Sequence, residues 1–296
     1  MKNLKKAFAF TLVLMLLIGI NVPAFAADAE GDNLPTDNPI NTDMTSITIR
    51  KDYKLIGAGS SPAETFTLEQ SGDGRVTDGD AQSAPALGAI TGAGFGEGAA
   101  TDPAASGTIT VTLPQYDSVG IYEYTLIEKA GTTAGVAYYG NAIRLVVTVI
   151  NGDDGKLRVA AIHTESKGAD KSDTFENTYS AGTLKISKTV TGNMGDKNKY
   201  FEFTVLLSGR SGMTYPETFA VSGGSYAQNP KTIKLSEETK FMLKHGDTIS
   251  IANLPYGVNY IVTETAADGY TTSSTGDTNS IGAAEQTAAF TNVKNS

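Results

Sequence analysis

The sequence predicts an all-β protein built of two tandem β-sandwich domains, and three observations lead to this expectation. The chain is rich in Thr, Gly, Val and Tyr, contains scattered turn dipeptides and has no sustained helical periodicity. Three short motifs recur in the same order in its two halves. The roughly 270 residues that follow the signal-like N-terminus also suit two domains of ordinary size.

The N-terminus has the three parts of a secretory signal. Residues 2–6 carry three lysines, residues 7–20 form an apolar run, and residues 24–26 match the A-x-A cleavage pattern. We therefore expect residues 1–26 to be a signal peptide and the mature chain to begin near Ala27. An uncleaved membrane anchor is the alternative, but the apolar run is shorter than the roughly 20 residues that span a bilayer.

The charge and the cysteine content of the chain limit the classes of function that it can have. Loss of the three signal lysines would take the formal net charge from −9 to −12, which argues against nucleic acid or an anionic membrane as a partner. The chain has no cysteine, so covalent reinforcement of an exported protein would need chemistry other than disulfides. With two histidines and no phosphate-loop or hydrolase motif, we expect no metal, no cofactor and no catalysis on an external substrate.

The predicted first domain covers residues 44–179 and follows an acidic, Pro-containing segment at 27–43 that we expect to be a flexible leader. Residues 70–106 are rich in Gly, Ala and Asp and are expected to form a long surface excursion. The Asn-Gly-Asp-Asp-Gly segment at 151–155 predicts a β-hairpin. The strands predicted for this domain are 45–49, 64–68, 107–113, 120–128, 144–150, 156–162 and 173–177.

The predicted second domain covers residues 180–296. Only Ser180 and Ala181 separate its first strand from the preceding domain, and so short a joint should restrict bending. Its predicted strands are 183–190, 200–207, 231–235, 248–251, 259–264 and 287–292.

The recurring motifs place one lysine, one glutamate and one asparagine in each half. Apolar-x-apolar-x-Lys ends at Lys51 and Lys188, Tyr-x-apolar-x-Glu ends at Glu128 and Glu264, and Phe-x-Asn ends at Asn177 and Asn292. Side chains two apart on a strand share a face, so these polar groups point where the neighbouring apolar residues point. If that face lines the core, the three groups must meet one another, because an unpaired buried charge is strongly destabilising.

Lysine, glutamate and asparagine meeting in an apolar interior form a reactive arrangement. Burial lowers the pKa of a lysine and raises that of a carboxyl group, so a neutral amine can act as a nucleophile and a protonated carboxyl can hydrogen-bond the amide oxygen. Attack on the amide carbon, with the glutamate moving the proton, would expel ammonia and leave an amide cross-link. Taken singly, each residue has an ordinary alternative, such as a strand-ending lysine that extends into solvent.

These residues resemble the streptococcal-type pilin isopeptide linkage domains of Gram-positive major pilins. In the second half the resemblance rests on TLKISKTVTGNMGDKNKYFEFTVLL, HGDTISIANLPYGVNYIVTE and FTNVK. In the first half it rests on ITIRK, VGIYEYTLIEKAG with GVAYYG, and TFENTYS. The resemblance implies CnaB-like, immunoglobulin-type sandwiches. It implies the bonds Lys51–Asn177, assisted by Glu128, and Lys188–Asn292, assisted by Glu264.

The resemblance also implies a location on the cell wall and covalent partners. A sortase would join the C-terminal threonine of one pilin subunit to a lysine of the next, and Lys171 is the candidate acceptor, with Lys167 as the alternative. The family's LPxTG-like sorting signal is not found in the sequence, so we expect a truncated sequence, a secreted protein, or attachment to the wall by another means. The competing hypothesis is a secreted or wall-associated adhesin that contacts a host-surface ligand.

Overall fold

The computed structural model describes residues 44–166 and 174–296 in full, and the backbone of Asp170 and Lys171. The expected signal peptide, the expected leader and Lys167 lie outside the described residues. Throughout the described ranges every regular element is a β-strand, as the sequence predicts. No helix in this part of the chain has the length and apolar character needed to cross a bilayer.

The first thirteen strands of the described chain run from Ser46 to Thr191. They are β1 (Ser46–Gly57), β2 (Glu64–Phe66), β3 (Leu68–Gln70), β4 (Arg75–Gly79), β5 (Ile90–Thr91), β6 (Ala93–Phe95), β7 (Ala105–Thr112), β8 (Gly120–Glu128), β9 (Val136–Ala137), β10 (Ile143–Asn151), β11 (Leu157–Ser166), β12 (Asp170–Lys171) and β13 (Thr174–Thr191).

Nine further strands complete the described chain. They are β14 (Phe201–Ser208), β15 (Phe219–Gly223), β16 (Thr232–Ile233), β17 (Glu238–Leu243), β18 (Thr248–Pro255), β19 (Asn259–Glu264), β20 (Thr271–Thr275), β21 (Thr278–Ser280) and β22 (Glu285–Val293). Each strand that the sequence predicts has a counterpart among the twenty-two.

Two sheets enclose the first hydrophobic core. One has the order β9–β13–β1–β7–β5, and the other has the order β12–β11–β10–β8–β3, with β4 also paired to β8. The core takes Ile49 and Val111 from the first sheet and Leu126 and Val147 from the second. Two sheets that share one apolar core in this way form a β-sandwich.

The second core also lies between two sheets. One is the continuation, through β13, of the sheet that contains β1, and it has the order β16–β15–β18–β13–β22–β20; the other is a separate sheet with the order β17–β14–β19–β21. Ile186 and Ile251 of the first sheet and Phe203 and Val262 of the second belong to this core. The fold is therefore all-β, with two tandem immunoglobulin-like sandwiches.

Side-chain alternation along β1 places a lysine in the first core. Ile47, Ile49, Lys51 and Tyr53 are all buried, because residues two apart on a strand face the same side of the sheet. The chain therefore directs Lys51 inward by the same period-two geometry that buries its apolar neighbours.

Residues 70–106 depart from the expected surface excursion. This segment contains β4, β5 and β6, which pair with β8, β7 and β2 respectively. Ala93 and Phe95 of β6 are buried in the first core. The sequence does not reveal these strands, because elements of two to five residues are too short to show a side-chain period.

Strand β13 passes without a break through Ser180 and Ala181, the two residues expected to separate the domains. Its first part pairs in parallel with β1, and its last part pairs in parallel with β22. One strand therefore contributes to both sandwiches.

A glycine on β13 provides a test of this packing. A Cβ atom at Gly182 would lie 2.1 Å from the backbone oxygen of Ala283, and backbone cannot move aside as a flexible side chain can. We expect Gly182→Ala to lower the free energy of unfolding by about 1–3 kcal/mol, measured by thermal or urea unfolding. Gly282→Ala is the matched control, since a Cβ there meets nothing within 4 Å. Equal stability of the two variants would contradict the close approach.

Candidate functional site

The first candidate site brings together three of the residues that the sequence motifs single out. Lys51 lies on β1, Glu128 ends β8, and Asn177 lies on β13. Lys51 is 1% exposed and Asn177 is fully buried, while Glu128 is 8% exposed as a whole residue. In the parallel pairing of β1 with β13, Lys51 lies opposite Phe175 and Tyr53 lies opposite Asn177. Asn177 is therefore two residues beyond the position that pairs with Lys51.

Hydrogen bonds connect all three side chains of the first site. Lys51 Nζ donates to Asn177 Oδ1 at 2.7 Å and forms an ion pair with Glu128 Oε2. Asn177 Nδ2 donates to Glu128 Oε1 at 2.6 Å. The backbone N–H of Tyr139 also donates to Glu128 Oε1, at 3.1 Å.

The second candidate site has the same three residue types on corresponding strands. Lys188 lies on β13, Glu264 ends β19, and Asn292 lies on β22. Lys188 Nζ donates to Glu264 Oε2 at 2.7 Å, and Asn292 Nδ2 donates to Glu264 Oε1 at 2.5 Å. Asn292 Oδ1 is buried and has no hydrogen-bond partner within the described part of the chain.

Aromatic rings surround both lysine amines. Lys51 Nζ lies 5.3 Å from the ring centroid of Phe66 and 5.6 Å from that of Tyr139. Lys188 Nζ lies 4.2 Å from the ring centroid of Phe201. The sequence alone does not connect these rings with the lysines, because aromatic residues in a strand pattern are ordinary core residues. The rings limit the access of water to the amines, and their faces interact favourably with a positive charge on the amine.

Burial lowers the pKa of both Lys51 and Lys188 from the ordinary lysine value. The hydrogen bond and the negative charge of the paired glutamate act in the opposite direction but do not outweigh burial. A lowered lysine pKa increases the fraction of neutral amine, which is the nucleophilic form.

The carboxylate of each site bridges the amine and the amide nitrogen. Its Oε2 contacts the lysine Nζ and its Oε1 contacts the asparagine Nδ2. This arrangement differs from the expected hydrogen bond between a protonated carboxyl and the amide oxygen. A carboxylate accepts hydrogen bonds only, so the amide presents its NH₂ group to it. The geometry allows one carboxylate to take a proton from the attacking nitrogen and deliver it to the leaving nitrogen.

The structure describes one of the two candidate acceptor lysines for intersubunit linkage. Lys171 lies on β12, where its backbone pairs with that of Glu165 on β11. Lys167 lies outside the described residues. Neither is part of the two Lys–Glu–Asn groups described above, which we call the triads.

Two family models match the chain. Residues 47–180 match the Spy0128-like isopeptide containing domain, and residues 182–294 match a domain of unknown function, DUF7601.

Two curated proteins from streptococci are related in sequence. A pilin of Streptococcus pyogenes serotype M1 is 29% identical over 154 residues, which are 50% of this chain and 45% of that protein. The pilus tip adhesin Cpa of Streptococcus pyogenes is 35% identical over 118 residues, which are 38% of this chain and 16% of that protein. The chain thus spans less than half the length of either relative.

The fold is also that of a solved pilin. The crystal structure of the major pilin from Streptococcus pyogenes superposes with a TM-score of 0.53 at 22% identity, covering 85% of this chain and 99% of that chain. The match of residues 47–180 to the Spy0128-like isopeptide containing domain, together with the shared fold, confirms the resemblance seen in the motifs.

The lowered lysine pKa predicts a pH dependence of stability in a variant that lacks the amide of the first site. We expect Asn177→Ala to leave Lys51 buried with no amide beside its amine. Between the lowered pKa and the ordinary value of 10.5, the unfolded chain then binds more protons than the folded chain, so the free energy of unfolding rises with pH.

The reference for this measurement is N177A/K51M, which lacks the amine. Thermal unfolding at a series of alkaline pH values should show N177A gaining stability relative to the double variant as pH rises. Parallel pH curves for the two variants would contradict the lowered pKa of Lys51.

Proposed function

We propose that this chain is a structural subunit of a cell-surface pilus and that each sandwich closes an intramolecular isopeptide bond. The proposed bonds join Lys51 to Asn177 and Lys188 to Asn292. The observation that carries the proposal is the convergence, in each of two cores, of a buried amine, a buried amide and a carboxylate that contacts both.

The chemistry of each bond is a single amide exchange. The neutral lysine Nζ attacks the asparagine Cγ, a new Cγ–Nζ bond forms, and the Cγ–Nδ2 bond breaks. The glutamate accepts one proton from Nζ and its carboxyl group returns one proton to Nδ2, so the nitrogen leaves as ammonia. The balance needs no cofactor, oxidant or external substrate. Each glutamate acts once, so the chain is not an enzyme in the turnover sense.

The positions of the bonds suit a protein that carries tension. Asn177 and Lys188 both lie on β13, so the two bonds would join β1, β13 and β22 into one covalent path. A pull applied at β1 and β22 would then load covalent bonds rather than the hydrogen bonds between strands.

The bonds would also stabilise the fold against unfolding. Lys51 and Asn177 are 126 residues apart in the sequence. By the loop-entropy estimate used for disulfides, a cross-link of this span destabilises the unfolded chain by about 5 kcal/mol at 25 °C.

Intact mass is the direct test of cross-linking. Each bond releases one ammonia, so the purified chain should weigh about 34 Da less than its unlinked polypeptide. Glu264→Ala should restore about 17 Da, after allowance for the substitution itself, because the proton transfer at the second site is lost. Glu264→Gln, which preserves shape, should behave in the same way.

The matched control for these variants is Glu217→Ala. Glu217 is exposed at the surface, where it pairs with Lys234, so the full mass deficit should remain. A wild-type chain at its full calculated mass would exclude both bonds. A full deficit in the Glu264 variants would remove Glu264 from the role assigned to it.

We further propose that a sortase joins subunits through Lys171 or Lys167 on the Gram-positive cell wall. The alternative is an adhesin that would bind a host-surface ligand, and it is favoured by the match to a pilus tip adhesin.

Denaturing gels of cell-wall extracts discriminate between a shaft subunit and an adhesin. A ladder of covalent multimers, lost in the Lys171→Arg/Lys167→Arg variant, is expected for a shaft subunit. A monomer that is retained on a host-matrix array would instead identify an adhesin.

A further inference from the structure

The two candidate sites differ in how the glutamate is held. Glu128 Oε1 accepts two hydrogen bonds, one from Asn177 Nδ2 and one from the backbone N–H of Tyr139. Over the described part of the chain, Glu264 accepts hydrogen bonds from Lys188 and Asn292 alone. The three reacting groups are the same at both sites, but only the first glutamate has a donor from outside the triad.

The additional donor comes from a segment that crosses between the two sheets. We call residues 129–142, which connect β8 to β10, the closing strap. The strap leaves the sheet of β8 directly after Glu128, pairs as β9 with Thr178 and Tyr179 of β13 in the opposite sheet, and returns at β10 to the sheet of β8. It therefore crosses the sandwich immediately beside Asn177.

Tyr139 anchors the strap to both sheets. Its ring packs edge-on against Phe175 of β13, with centroids 5.1 Å apart. Its hydroxyl forms a hydrogen bond with Ser166 Oγ at the end of β11. These two contacts fix the backbone of Tyr139 so that its N–H is directed at Glu128 Oε1.

We propose that Tyr139 is a positioning residue for the Lys51–Asn177 bond, an inference that rests on the proposed cross-linking. The bond forms when the closing strap is seated, because the Tyr139 N–H then holds Glu128 with Oε1 on the leaving nitrogen and Oε2 on the attacking nitrogen. The Lys188–Asn292 bond forms without an equivalent strap. A misplacement of about 1 Å in a reacting group can slow a reaction about 100-fold. A single hydrogen bond that fixes Glu128 is therefore enough to control the rate at which the Lys51–Asn177 bond forms.

The decisive variant removes the donor and leaves the side chain in place. The α-hydroxy acid of tyrosine at position 139 replaces the backbone N–H by an ester oxygen and retains the ring and the hydroxyl. Chains prepared unfolded and refolded by dilution are sampled over time, and proteolytic peptides report the loss of about 17 Da at each site separately. We expect the first bond to form about 10-fold or more slowly and the second bond to form at the wild-type rate.

One phenylalanine variant tests the contribution of the Tyr139 hydroxyl group, and a second serves as its control. Tyr139→Phe removes the hydroxyl contact with Ser166 but keeps the N–H, so it should slow the first bond less than the ester does. Tyr138→Phe is the matched control at the neighbouring position and should leave both rates unchanged. A role in packing alone predicts no effect of the ester, because ester and amide have nearly the same shape.

The second bond is an internal reference in every molecule. Wild-type rates at both sites in the ester variant would overturn the role of Tyr139 while leaving cross-linking intact. Equal slowing at both sites would also overturn it, because it would indicate a general folding defect. Absence of both bonds in the wild-type chain would instead refute the cross-linking itself.

Discussion

The fold depends on how each apolar core accommodates a lysine amine. Lys51 and Lys188 are each 1% exposed, and a lone ammonium ion at such depth would be strongly destabilising. A carboxylate and an amide meet each amine, and aromatic rings enclose it. The same burial that requires these partners also lowers the pKa of the lysine. One physical constraint thus explains the pairing of the three groups and supports the reactivity proposed for them.

The shared strand β13 links the two sites mechanically. It carries the amide of the first site and the amine of the second, and it pairs in parallel with β1 and with β22. Parallel neighbours are far apart in sequence, because a crossover of a dozen or more residues must separate them. A bond between such neighbours closes a long loop of chain and stabilises the fold more than a local bond would.

Period-two alternation explains why so much could be predicted from the sequence. It located β1, β8, β13, β19 and β22 and directed the six triad residues into the cores. It failed for β4, β5 and β6, which have five residues or fewer and are too short to show a period. The Tyr139 N–H could not be foreseen either, because a backbone donor has no sequence signature. The orientation of the amides likewise depends on three-dimensional contacts rather than on residue type.

Sequencing of cross-linked peptides by mass spectrometry tests the central claim most directly. Natively purified protein is digested, and fragments that contain Lys51 or Lys188 are isolated. The account predicts two branched peptides, one joining Lys51 to Asn177 and the other joining Lys188 to Asn292. Linear peptides with a free lysine and an intact asparagine at both sites would contradict it.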